Sequence, residues 1–256
     1  MDLKLNLSSI EDEEECVVLP VQDLHSINCD NSKKLLIVGQ ILSHRNSNFD
    51  ALKNMLQSLL QPVKGIQIRW ISEDRFCLQF NHRLDMQCTL EGRPWVFNKN
   101  LSIMESMADR ANLLDVWLDW SPFTMLVHDI TLSFQTKTVA EHIGNKIGRF
   151  IDTEHHDDRV NWLATWKLKL SLDITKPLMR ALCLENTKGD VFLVTFTYGK
   201  LPNFCYQCGV LGHISKFCPI IYEDDFVEPG EAVPFGQWLQ ASTQVKFNNN
   251  ILSSLR

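Results

Sequence analysis

No apolar run in this chain approaches the ~20 residues that a membrane-spanning helix needs, so no membrane partner is expected. The opening stretch, MDLKLNLSSIEDEEECVVLP, lacks the basic start, apolar centre and small-residue cleavage site of a secretory signal. The expected setting is therefore intracellular and reducing, in the nucleus or the cytoplasm. There Cys16, Cys29, Cys77, Cys88 and Cys183 read as free thiols. A disulfide framework is not expected of a chain this long and this apolar. Positive charge is also short, with 25 Lys and Arg against 31 Asp and Glu and a net charge of -6. That balance argues against strong non-specific binding of nucleic acid, because phosphate contacts need Lys and Arg; it leaves room for a local basic patch. Catalytic signatures are missing as well. There is no Gly-x-Ser-x-Gly, and no Cys and His stand in a recognisable catalytic context. No small-molecule substrate is expected, and the protein reads as non-enzymatic.

What the chain does have is a hydrophobic fraction of 45% over 256 residues, enough for a true core in one large or two modest domains. It also has CYQCGVLGHISKFC at 205–218, where Cys205, Cys208, His213 and Cys218 follow the spacing C-x2-C-x4-H-x4-C. Thiolate and imidazole ligands at this spacing suit a closed zinc tetrahedron, and two cysteines two residues apart can grip one ion from a tight turn. Gly209 and Gly212 supply the positive φ angles that so short a loop requires. The protein fills all four ligand places, so one structural Zn2+ is expected rather than a catalytic one. Residues 198–218 contain no Asp or Glu, while Lys200 and Lys216 add positive charge suited to phosphates. The knuckle is locally basic within an acidic chain.

The stretch resembles the zinc knuckle of retroviral and retrotransposon Gag-type nucleocapsid proteins. In that family an aromatic after the first Cys helps form an apolar platform for an unpaired base. The resemblance puts Tyr206 in that role, with Ile214 as the second wall. Bases stack on such surfaces for roughly 1–3 kcal/mol each. With only two lysines, one knuckle alone is expected to bind weakly.

The fold class read from the sequence is α+β. Residues 1–33, with EDEEE at 11–15, read as an acidic flexible tail. KLLIVGQIL (34–42) reads as a buried strand. NFDALKNMLQSLLQ (48–61) has apolar residues at helical spacing, with Asn48 as candidate N-cap. GIQIRWIS (65–72) and RFCLQFNH (75–82) alternate and form a hairpin across Glu73-Asp74. RLDMQCTLEG (83–92) reads as a short helix, and WVFNKNLSIME (95–105) as a strand or strand pair. The order over 34–104 is β-α-β-β-α-β, a split βαβ sandwich shared by RNA-recognition-motif (RRM) domains. Val38, Leu56, Trp70 and Phe80 are expected among its buried residues. The stacking aromatics of that family are missing, however. Ile37 stands at the first-strand place, and Arg75 and Cys77 at the third-strand places, so the sheet could serve RNA, protein or structure alone. Residues 105–200 read as a second α+β segment packed on the first. Its strand-like runs are TMLVHDITL, TWKLKLSLDI, MRALCLE and DVFLVTFTYG, and a helix begins at TKTVAEHIGNKIGRFI. The lysines of KLK (167–169) and Arg180 face away from the apolar positions and form either a basic or a merely solvated face. The knuckle occupies 201–219, and 220–256 reads as an acidic, then polar, C-terminal linker.

From 34 to 218 the chain resembles a plant retrotransposon Gag-like family of LINE-type elements. There a domain of unknown function precedes a C-x2-C-x4-H-x4-C knuckle. The residues that carry the resemblance are LLIVGQILS, GRPWVFNKNLSIM (92–104), HIGNKIGRFIDTE (142–154) and YGKLPNFCYQCGVLGH (198–213). FGQWLQAS (235–242) is similar to the motif that follows the knuckle in those chains. The family's Trp-rich, proline-ended strand is degraded here, in DWSPFTMLVHDITLSF. The resemblance implies a protein that binds single-stranded RNA or DNA, with self-association left open. A second reading is a protein-interaction adaptor with a structural knuckle. A third, a nuclease or polymerase fragment, rests on YEDD (222–225) alone, and an acidic linker explains that tetrad better. EHHDD (154–158) reads as a polar loop, because adjacent residues on a regular element point apart. GNKIG (144–148) is too short for a phosphate-binding loop.

Overall fold

The computed structural model describes residues 35–42, 49–107, 113, 116–153, 166–185, 189–223 and 234–241. The expected acidic tail, the Asn48 cap, the EHHDD loop and most of the expected C-terminal linker lie outside these residues. Within them the chain is mixed α+β, with two antiparallel five-stranded sheets and three α-helices.

The first sheet follows from alternation in its strands. β1 (Leu36–Ile41), β2 (Ile66–Trp70), β3 (Arg75–Phe80), β4 (Trp95–Phe97) and β5 (Asn100–Ser106) line up in the order β2-β3-β1-β5-β4. Helix α1 (Phe49–Leu60) joins β1 to β2, and α2 (Arg83–Glu91) joins β3 to β4. Side chains alternate across a strand, so each strand offers two faces. Ile37, Ile41, Phe76, Leu78, Phe80 and Met104 form one apolar cluster with Leu52 and Leu56 of α1. Leu56, Phe80 and Val38 are fully buried, as expected. Trp70 is only half-buried, because β2 is an edge strand; it packs edge-to-face on Phe76 at 6.1 Å.

The β2–β3 turn is longer than the two residues expected. Four residues, 71–74, separate the strands, and Ile71 N–H donates to the Arg75 carbonyl at 2.9 Å. The last expected strand is a true pair. β4 and β5 meet through Asn98 and Lys99, both at positive φ (46° and 64°), as a two-residue hairpin turn of the primed type requires.

Ile37, the place where a stacking aromatic was sought, belongs to the helix-side cluster. The opposite face carries Val38, Leu101 and Ile103, which join a second and larger apolar cluster. That cluster includes Phe123, Met125, Leu168, Leu170 and Phe196, all from the second sheet. The two sheets therefore share a core, and this face of the first sheet is covered.

The second sheet comprises β6 (Trp120–His128), β7 (Arg149–Thr153), β8 (Trp166–Asp173), β9 (Ala181–Glu185) and β10 (Val191–Tyr198), in the order β7-β8-β6-β10-β9. Helix α3 (Lys137–Ile147) begins at Thr136, whose hydroxyl accepts from Val139 N–H at 3.3 Å, and buries Ala140 and Ile143. GNKIG is thus the end of α3 and the turn into β7, not a phosphate loop. Pro122 lies in central β6, where a missing N–H is normally costly. It is tolerated because only β8 flanks that half of the strand; β10 pairs from Met125 onward.

Residues 234–241, within the expected linker, run back along the body. Ala241 N–H donates to the Tyr198 carbonyl at 2.9 Å, and Gln240 bridges Tyr198 in parallel. Leu239 is fully buried in the larger cluster.

Candidate metal centre

The knuckle is a short hairpin closed on itself by backbone bonds. Phe204 and Leu211 pair as an antiparallel bridge. Cys205 N–H donates to the Val210 carbonyl at 2.9 Å, and Gly209 N–H donates to the Cys205 carbonyl at 2.8 Å. The loop between the paired residues turns at Gly209 (φ +74°), and Gly212 (φ +89°) turns the chain just past Leu211. A one-turn 3-10 segment, Ser215–Phe217, then delivers Cys218.

This path brings the Cys205, Cys208 and Cys218 sulfurs and a His213 ring nitrogen within 4.8 Å of one another. Cys208 Sγ lies 3.2 Å from His213 Nε2. A zinc tetrahedron with ordinary Zn–S and Zn–N bonds has edges of about 3.4–3.8 Å, so the donors stand close to where an ion needs them. The four residues are positioned to bind one zinc ion, and with all four positions supplied by the chain the site is closed and structural. Asp224 and Asp225, the carboxylates of YEDD, lie outside the described residues.

The electrostatics fit a metal. Burial raises the Cys205 thiol, but hydrogen bonds from the backbone of Cys208 and Gln207 and from the Cys218 and Cys208 thiols outweigh it, and its pKa falls below the usual value. Burial pushes Cys208 up to about 12, and the hydrogen bond and charge of Cys205 beside it also raise it. Cysteine ligates zinc as the thiolate, so metal binding releases thiol protons and affinity falls as pH falls.

The shell around the ligands is ordered too. Gln207 N–H donates to Cys205 Sγ at 3.4 Å. The Ser215 hydroxyl accepts from Tyr206 N–H at 3.2 Å and lies 4.0 Å from Cys205 Sγ. Such contacts orient ligands and tune their basicity.

The knuckle is wedged between both sheets rather than hanging from one. Asn203 N–H donates to the Lys99 carbonyl at the tip of the β4–β5 hairpin (2.6 Å). Gly212 sits against Leu42, just past β1. On the other side, Leu178 N–H donates to the Gly209 carbonyl at 3.0 Å, and Phe235 N–H donates to the Tyr206 carbonyl at 3.2 Å. The Phe235 ring fills the space over Gly209 that a Cβ would need. Arg180 holds that ring from the far side, its guanidinium carbon 5.1 Å from the ring centre and its Nη1 donating to the Pro234 carbonyl at 2.8 Å. Phe204 and Leu211 belong to the main core cluster.

Of the expected nucleic-acid contacts, Tyr206 and Ile214 come together. They line one cleft of about 160 Å³ with Pro202, Asn203, Phe204, Ser215 and Gln240. Tyr206 is half-buried, its ring 5.1 Å from that of Phe204, while Ile214 is 42% exposed. Phe204 and the Gln240 amide were not expected there. Phe204 sits beside the first Cys, but only the folded hairpin shows that it floors the cleft. Lys216 is exposed on the 3-10 segment, its Nζ 5.7 Å from the Phe217 ring centre. Lys200 is not on the platform. It lines a different cleft, beside Arg93, Lys167 and Lys169.

Comparison with known families agrees with this geometry. Residues 172–220 match the family described as Zinc knuckle, and residues 30–113 match the family described as Domain of unknown function (DUF4283). A DUF4283 domain is thus followed by a CCHC-type zinc knuckle. The knuckle match begins within β8, well before the first ligand, in the region whose Leu178 holds the Gly209 carbonyl. No curated protein and no solved structure matches the chain.

Proposed function

We propose that the protein is a non-enzymatic, Gag-like binder of single-stranded RNA or DNA, with its zinc knuckle as the contact. The observation that carries this reading is the cleft that joins Tyr206, Phe204 and Ile214 directly beside the metal ligands. An apolar floor with amide and hydroxyl groups at its rim suits an unpaired base: the ring faces give stacking, and Asn203, Ser215 and Gln240 meet base edges. Zinc acts by fixing the hairpin that brings Tyr206 and Ile214, eight positions apart in sequence, to the same cleft.

The strand order β2-β3-β1-β5 supports an RRM-like first domain. Its use as a base-stacking surface is disfavoured, because Val38, Leu101 and Ile103 on the far face are buried with the second sheet. Binding by the knuckle fits that arrangement. The pairing of a DUF4283 domain with a knuckle supports the retrotransposon Gag-like assignment.

The adaptor reading has one observation in its favour. Phe217, Ile220, Tyr222 and Trp238 expose between 40% and 78% of their surface around the knuckle. Fluorescence anisotropy with short unpaired RNA and DNA separates the two. Tyr206→Ala is expected to lose roughly 1–3 kcal/mol of affinity, while Tyr206→Phe keeps it, since the ring supplies the stacking. Binding equal in wild type, Tyr206→Ala and a zinc-free Cys208→Ser variant would put the contact elsewhere. No binding by any of them would favour the adaptor.

A further inference from the structure

A second cleft, of about 400 Å³, opens between the end of α2 and the second sheet. Lys167, Leu168 and Lys169 of β8, Thr124 of β6, Asp152 of β7, Lys200, and the Glu91-Gly92-Arg93 turn line it. Thr124 and Asp152 each stand directly opposite Lys169 on neighbouring strands, so this wall is one patch of sheet. Lys167 and Lys169 alternate with the buried Trp166, Leu168 and Leu170 and point away from the core. Four cations thus face two carboxylates, in a chain whose net charge is -6. Arg93 is fixed in place: Nε donates to the Leu90 carbonyl at 2.7 Å, and Nη1 donates to the Met104 carbonyl at 2.7 Å and to Glu105 at 2.6 Å. Glu105 offsets its charge, so the lysines carry the field.

We propose that this cleft is a phosphate-binding site for the backbone of the same single strand whose base rests on the knuckle platform. The inference rests on the platform reading. Its new content is that the binding surface continues onto the second sheet, with Lys169 and Lys200 as the principal phosphate contacts. Adjacency carries it. Lys200 lines the basic cleft and Pro202 and Asn203 line the platform. Two residues of chain span at most roughly 7 Å, so the two sites lie within reach of neighbouring nucleotides. Lys200 adopts a positive φ (51°) at the point where the chain leaves β10. A phosphate beside Thr124 could also accept from its hydroxyl. The division of labour is the usual one: phosphate contacts position a strand, while base contacts choose it.

The test uses the full zinc-loaded chain, fluorescein-labelled oligouridylates of three and twelve nucleotides, and a Lys169→Gln/Lys200→Gln variant that keeps most of both side-chain stems. Binding is measured between 50 and 200 mM salt. With the twelve-mer, the variant is expected to bind more weakly, its salt slope shallower by about 1.4, since each phosphate contact on a single strand contributes roughly 0.7. The three-mer has only two internucleotide phosphates, so its slope should fall by less than that of the twelve-mer. Unchanged zinc content and far-UV circular dichroism show that the variant is folded. An unchanged slope with the twelve-mer overturns the phosphate site while leaving the platform reading intact. Loss of the slope with no effect of Tyr206→Ala overturns the shared strand, because the platform would then hold no base. An eight-residue polyglutamate that competes as well as an oligouridylate of equal charge would make the cleft a docking place for acidic protein, and that too overturns the proposal.

Discussion

At the scale of single residues, Cys208 and Gly209 carry different burdens although they are neighbours. Cys208 supplies a ligand, and its sulfur lies 3.2 Å from His213 Nε2. Replacing it with Ser removes a thiolate and leaves three donors, so zinc per chain, measured by atomic emission after dialysis, should fall from one to near zero. Retention of a full equivalent would show that Cys208 is not a ligand. Gly209 donates nothing to the metal through a side chain. It holds φ at +74° and lies under the Phe235 ring. An Ala there meets a backbone cost of roughly 1–2 kcal/mol and also the ring. We expect Gly209→Ala to keep all four ligands yet bind zinc about ten-fold more weakly, read by competition with a chromophoric chelator. Wild-type affinity would show that the loop relaxes at no cost.

At the scale of elements, the segment around Phe235 is the feature that ties the knuckle down. Its ring touches Gly209 and the Arg180 guanidinium, and its N–H reaches the Tyr206 carbonyl. Full burial of a Phe is worth about 3–5 kcal/mol against Ala; Phe235 is half-buried, so Phe235→Ala should cost ~2 kcal/mol in denaturant unfolding. It should also raise amide exchange in 204–212. A change confined to 234–241 would mean that this segment merely lies on the surface. How much of this was legible in the sequence depends on the range of the interaction. The spacing of Cys205, Cys208, His213 and Cys218 is local, and it identified the whole ligand set. Alternation in RFCLQF and KLKLSLD is local too, and it identified β3 and β8. Phe235 stands seventeen residues past the last ligand, behind an acidic stretch, and no local period signals its return to the knuckle. Lys200 looked like part of the knuckle because it is near in sequence, yet the turn after β10 sends it to another cleft. The longer β2–β3 turn was missed because Ile71, a β-branched apolar residue, reads as one more strand residue past the last ladder pair of β2, Trp70↔Phe76.

At the scale of the whole molecule, the question is whether zinc governs a terminal appendage or the body. A small terminal knuckle would melt alone and leave both sheets intact. Here Phe204 and Leu211 share one buried cluster with Val38, Leu101 and Ile103 of the first sheet and with Phe123, Leu168 and Tyr198 of the second. The Tyr198 hydroxyl donates to the Met179 carbonyl at 2.7 Å, one residue after the Leu178 that holds Gly209. Loss of the metal frees the hairpin that seals this junction, so the cost should spread to both sheets. A ligand that binds only the folded state stabilises it by about 2.7 kcal/mol at a hundred times its Kd. We therefore expect one cooperative thermal transition, followed by far-UV circular dichroism, whose midpoint rises with free zinc and falls on chelation. The shift should be several degrees, as a change of this size gives in a chain of about this length. Tryptophan fluorescence, reporting among others Trp166 in the shared cluster and Trp70 in the first sheet, should move with the same midpoint. A body transition that ignores zinc, with a separate small change for the knuckle, would show that the shared cluster does not couple the metal to the sheets.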